Sequence, residues 1–564
     1  MIAFSDSPVV AEQQMAAIIY YLTTFGFVDG RFDDSERVEI RRWIRALVEM
    51  RVANMGIDSP AERLETADKQ TQYFERVFQR VTAEIQALFD EAVAHGERPE
   101  DFVMARLRLR CYELFKGFDP RSQETLLFIV DRVLQADGVI HETERRFRDD
   151  LIALLKLEPP APAPAPPAAP ASAPAAVSFE PAQRLIGSLS EHALLKLGEE
   201  HFSREPVRLS QQLLRDYELL RQAVDAWELQ RGGGAGRLTG KQRAGELSGA
   251  PFLDGFVYAL PDDGKDRELI VVGDLHGCYS CLKAALLQSD FFPKVAAHRK
   301  DPVGSPDVRL VFLGDYIDRG RFSYDGVLRT VLQLFVSMPE HVIVLRGNHE
   351  YYVDLGDRIS GGVAPAEAIA SCAPYFPKKM FEAFLYSFER MPSMLIAGSL
   401  LFVHAGIPRD DTQAQKWRDL STLNDAEVRF QMMWSDPSTA NHIPVELQRQ
   451  NARFSFGRHQ FRAFMDRIGC LTMVRGHEKI NEGYKRVYSD GGYDLVNLFS
   501  AGGLTNADLP ENASYRSVTP MALTVHRSGG TTAIVPWPIE WQRWNEPSLN
   551  GFLRTPAEIE FRVQ

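Results

Sequence analysis

The sequence predicts a multidomain chain, an all-α N-terminal domain followed by an α/β domain. Three observations carry this. The 564 residues exceed what one hydrophobic core organises. Through residues 1–157 apolar positions recur at helical spacing, with no β-strand alternation. From about residue 250 the texture changes to short apolar runs that end in glycine and polar residues, separated by helical stretches.

In chain order, the helical signal runs through Ile18 to Leu22, Val38 to Leu47, Phe74 to Phe89 and Thr125 to Leu157. It contains an internal echo. Residues 27–36 (FVDGRFDDSE) line up with residues 135–144 (QADGVIHETE). In each copy Asp-Gly and an apolar residue lead into an acidic stretch that opens another helix, around Asp33 or Asp34 in the first and His141 to Glu144 in the second. Negative charge is favoured there by the helix dipole. Two readings stay open: a helix-turn-helix used twice, or acidic side chains from both copies converging on a cation. The spacing is not that of an EF-hand loop. The repeated pattern resembles the tellurite-resistance TerB-like domain over residues 15–157. That resemblance implies a bacterial regulatory or interaction module that takes a protein partner or a metal ion.

Residues 158–178 are a Pro/Ala-rich linker. Its prolines favour extended polyproline II, which makes it a semi-rigid spacer of roughly 50 Å. Residues 179–250 return to helical patterning and form a connecting region with no visible chemistry, interrupted at 231–237 (RGGGAGR) by an expected mobile loop. The α/β domain is assigned to 251–540, and 541–564 to a C-terminal tail.

Composition narrows the function classes. A formal net charge of -12 excludes a general nucleic-acid binder. Five cysteines make no disulfide framework, and the N-terminus has no signal-peptide pattern. No apolar run is long enough to span a bilayer. The expectation is a cytoplasmic protein with no membrane partner.

The chemistry gathers at the ends of five apolar runs. Residues 269–272 end in Gly273-Asp-Leu-His-Gly277, 308–313 in Gly314-Asp-Tyr-Ile-Asp-Arg-Gly320, and 342–345 in Arg346-Gly-Asn-His-Glu350. Residues 400–403 end in His404-Ala-Gly406 and 471–474 in Arg475-Gly-His-Glu478. Strand C-termini are where α/β folds place their sites. Asp, His and Asn are the donors that a pair of divalent ions needs, and one shared carboxylate can hold the two about 4 Å apart. Asp315 is the natural bridge. Asp274 and His276, two apart on one strand end, can share one ion. Asn348, His404 and His477 serve the other. Water between the two ions would be acidified to a nucleophile at neutral pH. His349 sits at the rim as a proton donor with Asp318 behind it, and Arg319 offers a fork to phosphoryl oxygens.

The blocks Gly-Asp-Leu-His-Gly, Gly-Asp-Tyr-Ile-Asp-Arg-Gly and Gly-Asn-His-Glu resemble, in this order, the signature of the phosphoprotein phosphatases. These are serine/threonine phosphatases of the calcineurin-like metallophosphoesterase superfamily. Met433-Trp-Ser-Asp-Pro437, residues 451–457 (NARFSFG) and residues 497–501 (NLFSA) extend the likeness over about 265–530. It implies two central sheets flanked by helices. It implies metal ligands Asp274, His276, Asp315, Asn348, His404 and His477, the catalytic pair His349 and Asp318, and phosphate binding by Arg319 and Arg453. It further implies two divalent or trivalent ions, with manganese expected and iron or zinc as alternatives, and a phosphoprotein substrate.

The implied reaction is hydrolysis of phosphoserine and phosphothreonine by direct attack of a hydroxide held between the ions. Hydrolysis of diadenosine tetraphosphate or another nucleotide on the same fold is the alternative, and a non-catalytic scaffold the third reading. The chain departs from the pattern at Ser500-Ala-Gly-Gly-Leu504, where relatives carry a tyrosine that lines the phosphate site. Cys278 and Cys281 have the spacing of a redox pair, but their place at a helix start favours a structural role.

Overall fold

In the computed structural model the described residues are 5, 7–27, 34–53, 55–89, 91, 93–134, 142–156 and 177–560. The chain divides into two compact units. One is Met1–Ala163 with Ser438–Gly457; the other is Pro164–Pro437 with Arg458–Gln564.

The first unit is helical. Its helices are α1 (Pro8–Phe25), α2 (Asp34–Ala53), α3 (Pro60–Leu88), α4 (Pro99–Lys116), α5 (Pro120–Leu134) and α6 (Glu142–Lys156). Proline opens α1, α3 and α4, where its missing N–H costs nothing. Ser59 caps α3 by accepting from the Glu62 N–H. Along α3, Phe74, Val77, Phe78, Val81 and Ile85 are buried at helical spacing. Tyr21 meets Phe115 and Phe147 in the same core, to which Ile443 and Leu447 of the late segment contribute. Most of the Asp-Gly echo (28–33 and 135–141) and the linker through residue 176 lie outside the described residues, so the cation reading does as well. Asp34 and Glu142, at the edges of the echo, are the first residues of α2 and α6.

The second unit holds two mixed sheets flanked by helices. Its strands begin with β1 (Val177–Phe179), β2 (Phe252–Asp254), β3 (Val257–Leu260), β4 (Arg267–Val272), β5 (Asp307–Phe312), β6 (Val342–Val344) and β7 (Met394–Ala397). They continue with β8 (Leu400–Val403), β9 (Thr472–Arg475), β10 (Tyr484–Asp490), β11 (Tyr493–Leu498), β12 (Met521–Ser528) and β13 (Thr531–Pro538). One sheet has the order β1-β13-β12-β4-β5-β6, the other β10-β11-β9-β8-β7-β3-β2. β4, β5 and β6 are parallel neighbours, as are β8, β9 and β11. Residues of β4 and β5 are buried on both faces, which their continuous apolar runs require. Side chains from both sheets share one core, with Val271 and Val311 on one side and Phe402, Val474 and Val496 on the other.

The stretch before β2 differs from the sequence expectation in two places. Residues 180–192 are irregular, and helix begins only at Ala193–Gly198. The run 231–237 is only partly a loop: helix α7 (Pro206–Gly234) takes in residues 231–234, and turns follow from 235. The reason is packing. A Cβ on Gly234 would lie 2.1 Å from the Leu253 carbonyl oxygen, so the helix end can approach β2 only as glycine. Arg231 secures the same turn by donating to the Gly255 carbonyl. Helix α7 is tied further by Asp216, which accepts both arms of Arg329 at 2.8 Å. Lys283, fully buried on α8 (Tyr279–Gln288), donates to Glu191, Glu199 and the Leu549 carbonyl. That lysine fastens the chain on both sides of the sheets, and Trp541 and Trp544 of the last segment join the core.

Candidate active site

Five strand ends converge. Asp274 and His276 follow β4, Asp315 and Asp318 follow β5, and Asn348 and His349 follow β6. His404 follows β8 and His477 follows β9. The loops can meet because glycines let backbone touch backbone. A Cβ on Gly314 would sit 2.5 Å from the Gly347 nitrogen, and one on Gly320 would sit 2.1 Å from the His276 carbonyl oxygen. The Asp315 carbonyl accepts from Leu275 and His276, and Gly277 donates to Tyr316. Five site residues that are not glycine take left-handed backbone: His276 (φ 42°), Asp315 (56°), Asp318 (66°), Arg319 (65°) and His477 (70°). Such conformations cost roughly 1–3 kcal/mol each and persist only where the surroundings enforce them.

Asp315 is the hub. It belongs to two groups whose donor atoms lie within 4.8 Å of one another, His276–Asp315–His349 and Asp315–His404–His477. Its Oδ2 is 3.5 Å from His276 Nε2 and its Oδ1 3.3 Å from His404 Nε2. His276 and His404 each place Nδ1 3.0 Å from a backbone carbonyl, of Ile317 and Leu313 respectively. A ring that donates Nδ1–H in this way leaves Nε2 as a lone-pair donor, the arrangement metal-binding histidines use. Asn348 Oδ1 lies 2.9 Å from His404 Nε2 and 3.2 Å from His477 Nδ1. Asp274, 3.9 Å from His276 Nε2, also accepts from the His477 N–H through both oxygens. Two buried carboxylates, three imidazoles and an amide oxygen facing one space suit a pair of divalent cations.

The buried groups of the cluster perturb one another strongly. Burial, reinforced by Asp315, pushes the Asp274 carboxyl up to about 7. Burial pushes His276 down to about 3. Burial also disfavours charge on His404, but adjacent Asp315 outweighs it and lifts the ring to about 9. A bound cation would favour ionised carboxylates and neutral rings throughout.

His349 lies beside this group. Burial works against its charged form, yet Asp315 and the bonded Asp318 hold its pKa above the ordinary value. Arg319 donates to Glu367 at 2.7 Å; burial works against its charge, but Glu367, Tyr515 and Asp318 together raise the guanidinium. Arg453 belongs to the helical unit and pairs there with Glu91 at 2.8 Å.

Three residues not singled out from the sequence shape the site. Glu350, fully buried, accepts from the N–H groups of Asp315, Tyr316 and Gly347 and so locks the β5 and β6 loops together. Its position in the Gly-Asn-His-Glu block was visible; this role was not. Arg475, also fully buried, donates to Asp436, Asn497 and the Ala405 carbonyl, fixing the turn that presents His477. Tyr515 brings its hydroxyl 3.4 Å from His276 Nε2 and packs its ring on Phe499. The tyrosine missing at 500–504 thus has a counterpart from the turn Ser514–Ser517. No spacing signal marks it, because the chain loops out between β11 and β12. Cys278 and Cys281 are buried, with sulfurs 3.3 Å apart, and both accept from Asn506.

Mixed sheets thus deliver Asp, His and Asn from their strand ends around one shared carboxylate, a donor set suited to metal ions. Residues 268–480 match the family described as calcineurin-like phosphoesterase, and this part of the chain is a metallophosphoesterase domain. A probable serine/threonine-protein phosphatase of Encephalitozoon cuniculi is 28% identical over 240 residues, 42% of this chain and 47% of that protein. A serine/threonine-protein phosphatase of Caenorhabditis elegans is 26% identical over 240 residues, 42% of this chain and 48% of that protein. The chain spans about half the length of these curated relatives.

Among solved structures, a serine/threonine phosphatase from Saccharomyces cerevisiae aligns at a TM-score of 0.36 and 17% identity, over 57% of this chain and 89% of that one. A cold-active protein-tyrosine phosphatase from a Shewanella species aligns at 0.30 and 15%, over 50% and 82%. Among the described residues no helix is long and apolar enough to cross a membrane.

Proposed function

We propose that the second unit is a phosphoprotein phosphatase that hydrolyses phosphoserine and phosphothreonine. The observation that carries the reading is the shared position of Asp315 between two imidazole groups, with His349 and its carboxylate partner alongside. When bound, two divalent ions supply Lewis acidity toward the phosphoryl group and acidify water.

The chain's own residues have distinct tasks. Asp274 and His276 would hold one ion, Asn348, His404 and His477 the other, with Asp315 shared. Arg319 binds phosphoryl oxygens through its second arm while Glu367 steadies the first. His349 gives the proton from Nε2 to the departing serine or threonine oxygen. Asp318 keeps the ring oriented and cationic until that transfer. Arg453 is assigned as a second phosphate-binding arginine, manganese as the working metal, and the cytoplasm as the compartment. The helical unit, read as TerB-like, is assigned a regulatory or targeting role that takes a protein partner or a metal ion.

The test is turnover, with manganese present, of a phosphoserine/phosphothreonine peptide panel against diadenosine tetraphosphate. Faster phosphopeptide hydrolysis is expected. Negligible phosphopeptide turnover beside efficient cleavage of the dinucleotide would replace this reading with that of a nucleotide phosphohydrolase.

A further inference from the structure

A second cleft in the same unit has an unbalanced charge. It has a volume of about 860 Å³ and is walled by the end of α7, the β2–β3 turn, the segment after β6 and the helix Ala426–Met432. Arg346 and Arg429 both line it. Arg346 is only 5% exposed. Its Nε donates to the Glu350 carbonyl at 2.9 Å, and its guanidinium stands 5.0 Å from the Tyr351 ring. Arg429 donates Nε to the Asn424 carbonyl and lies over Phe256 at 3.5 Å. Among the described residues neither guanidinium has an ion-pair partner, and neither has a hydrogen bond from its terminal nitrogens.

The carboxylates of the cleft are shared with other cations, and Glu389 attracts Arg346 and Arg429 without pairing with either. Glu228 pairs with Arg231 at 2.9 Å and with Arg390 at 3.8 Å. Glu389 pairs with Arg390, and Glu427 with Lys416 at 2.8 Å. Burial and Arg231 push Arg429 down to about 10. Keeping like charges together and desolvated is costly unless an anion joins them. Beside them, Tyr351 and Phe430 meet edge to face with centroids 5.7 Å apart, leaving aromatic surface in the wall.

We propose that this cleft binds a small aromatic phosphate of the mononucleotide kind. The phosphoryl oxygens lie between Arg346 and Arg429, and the ring packs against Tyr351 and Phe430. The paired forks suit a phosphate dianion, and the volume suits one ring system with its sugar. The site is distinct from the Asp315 centre, and the inference does not depend on which phosphoester that centre cleaves.

The test is calorimetric titration of adenosine monophosphate into the full chain carrying Asp315→Asn, so that binding is read without turnover. Added Arg429→Gln should weaken binding at least tenfold, and so should added Arg346→Gln. Added Arg319→Ala should leave it unchanged. Inorganic phosphate should bind at least tenfold more weakly than the nucleotide, because it lacks a ring. Thermal unfolding establishes that each variant folds; should Arg346→Gln fail, Arg429→Gln decides. Unchanged affinity in Arg429→Gln, loss of binding in Arg319→Ala alone, or no binding at millimolar nucleotide would each overturn the proposal. Equal affinity for phosphate and nucleotide would overturn the aromatic part of it. Absent phosphopeptide turnover would bear on the Asp315 centre and leave this result standing.

Discussion

Asp318 holds His349 with one oxygen and the backbone with the other. Oδ2 is 2.7 Å from His349 Nδ1, while Oδ1 accepts from the Ala368 N–H at 2.7 Å. The carboxylate cannot swing away without breaking the second bond, so the imidazole keeps one orientation. His349→Ala should lower kcat about 10²- to 10⁴-fold with a phosphomonoester whose leaving group needs a proton. A nitrophenyl leaving group, which departs unprotonated, should lose much less. Equal losses with both substrates would remove His349 from the role of acid.

Asp315 is common to both donor groups, so removing its charge should affect both ions together. Asp315→Asn is expected to lose metal, measured by elemental analysis after dialysis, and to lose activity with it. Glu350→Gln should weaken metal binding about 10- to 100-fold while retaining the fold, because it orients the ligand loop from behind. Full metal content in Asp315→Asn would contradict the arrangement. Chelation should abolish wild-type turnover, and added manganese should restore it.

Tyr515 offers its hydroxyl to the space beside His276. Tyr515→Phe should reduce kcat/KM about tenfold, the scale of one hydrogen bond to a charged group. An unchanged value would make the residue a packing element only.

Lys283 is fully buried and stands between Glu191 and Glu199. Lys283→Ala leaves two carboxylates without their cation, so a loss of roughly 3–5 kcal/mol is expected in urea unfolding of the chain. A loss below about 1 kcal/mol, the size of a surface pair, would show that the cluster is not desolvated.

His201 Nδ1 lies 3.3 Å from Asp325 Oδ2, and its Nε2 lies 2.8 Å from the Phe552 carbonyl. Burial opposes its charge, but Asp325 outweighs burial and raises the pKa above the ordinary value of 6.5. A raised folded pKa stabilises fully below the unfolded value, and the gain fades as pH rises through the folded one. The Tm difference between wild type and His201→Gln should therefore be largest below about pH 6 and shrink above neutrality. A difference that grows with pH would reverse the assignment.

The candidate metal-binding residues stood out in the sequence because each follows an apolar strand, where residue type and position reinforce each other. The two central sheets were implied by the family resemblance that the motif blocks carry. Tyr515 was not legible, since it reaches the site through a long excursion between β11 and β12 that only tertiary packing places. Gly232 to Gly234 were misread for a related reason. Glycine propensity predicts a break, whereas the helix runs to Gly234, where the close approach to Leu253 requires glycine; Gly232 and Gly233 meet no neighbour that would select them. The charge imbalance around Arg346 and Arg429 was equally invisible, because the carboxylates of the cleft, Glu228, Glu389 and Glu427, come from three separate segments.

The left-handed backbone at His276, Asp315, Asp318, Arg319 and His477 bears on how such a protein can change. Glycine would relax the backbone there by about 1 kcal/mol. At Asp318 and Arg319 it would also strand the Ala368 N–H and the buried Glu367, which costs more than the strain released. Heat tolerance and turnover therefore draw on the same side chains, and a screen for survival on heating should leave these two positions unchanged.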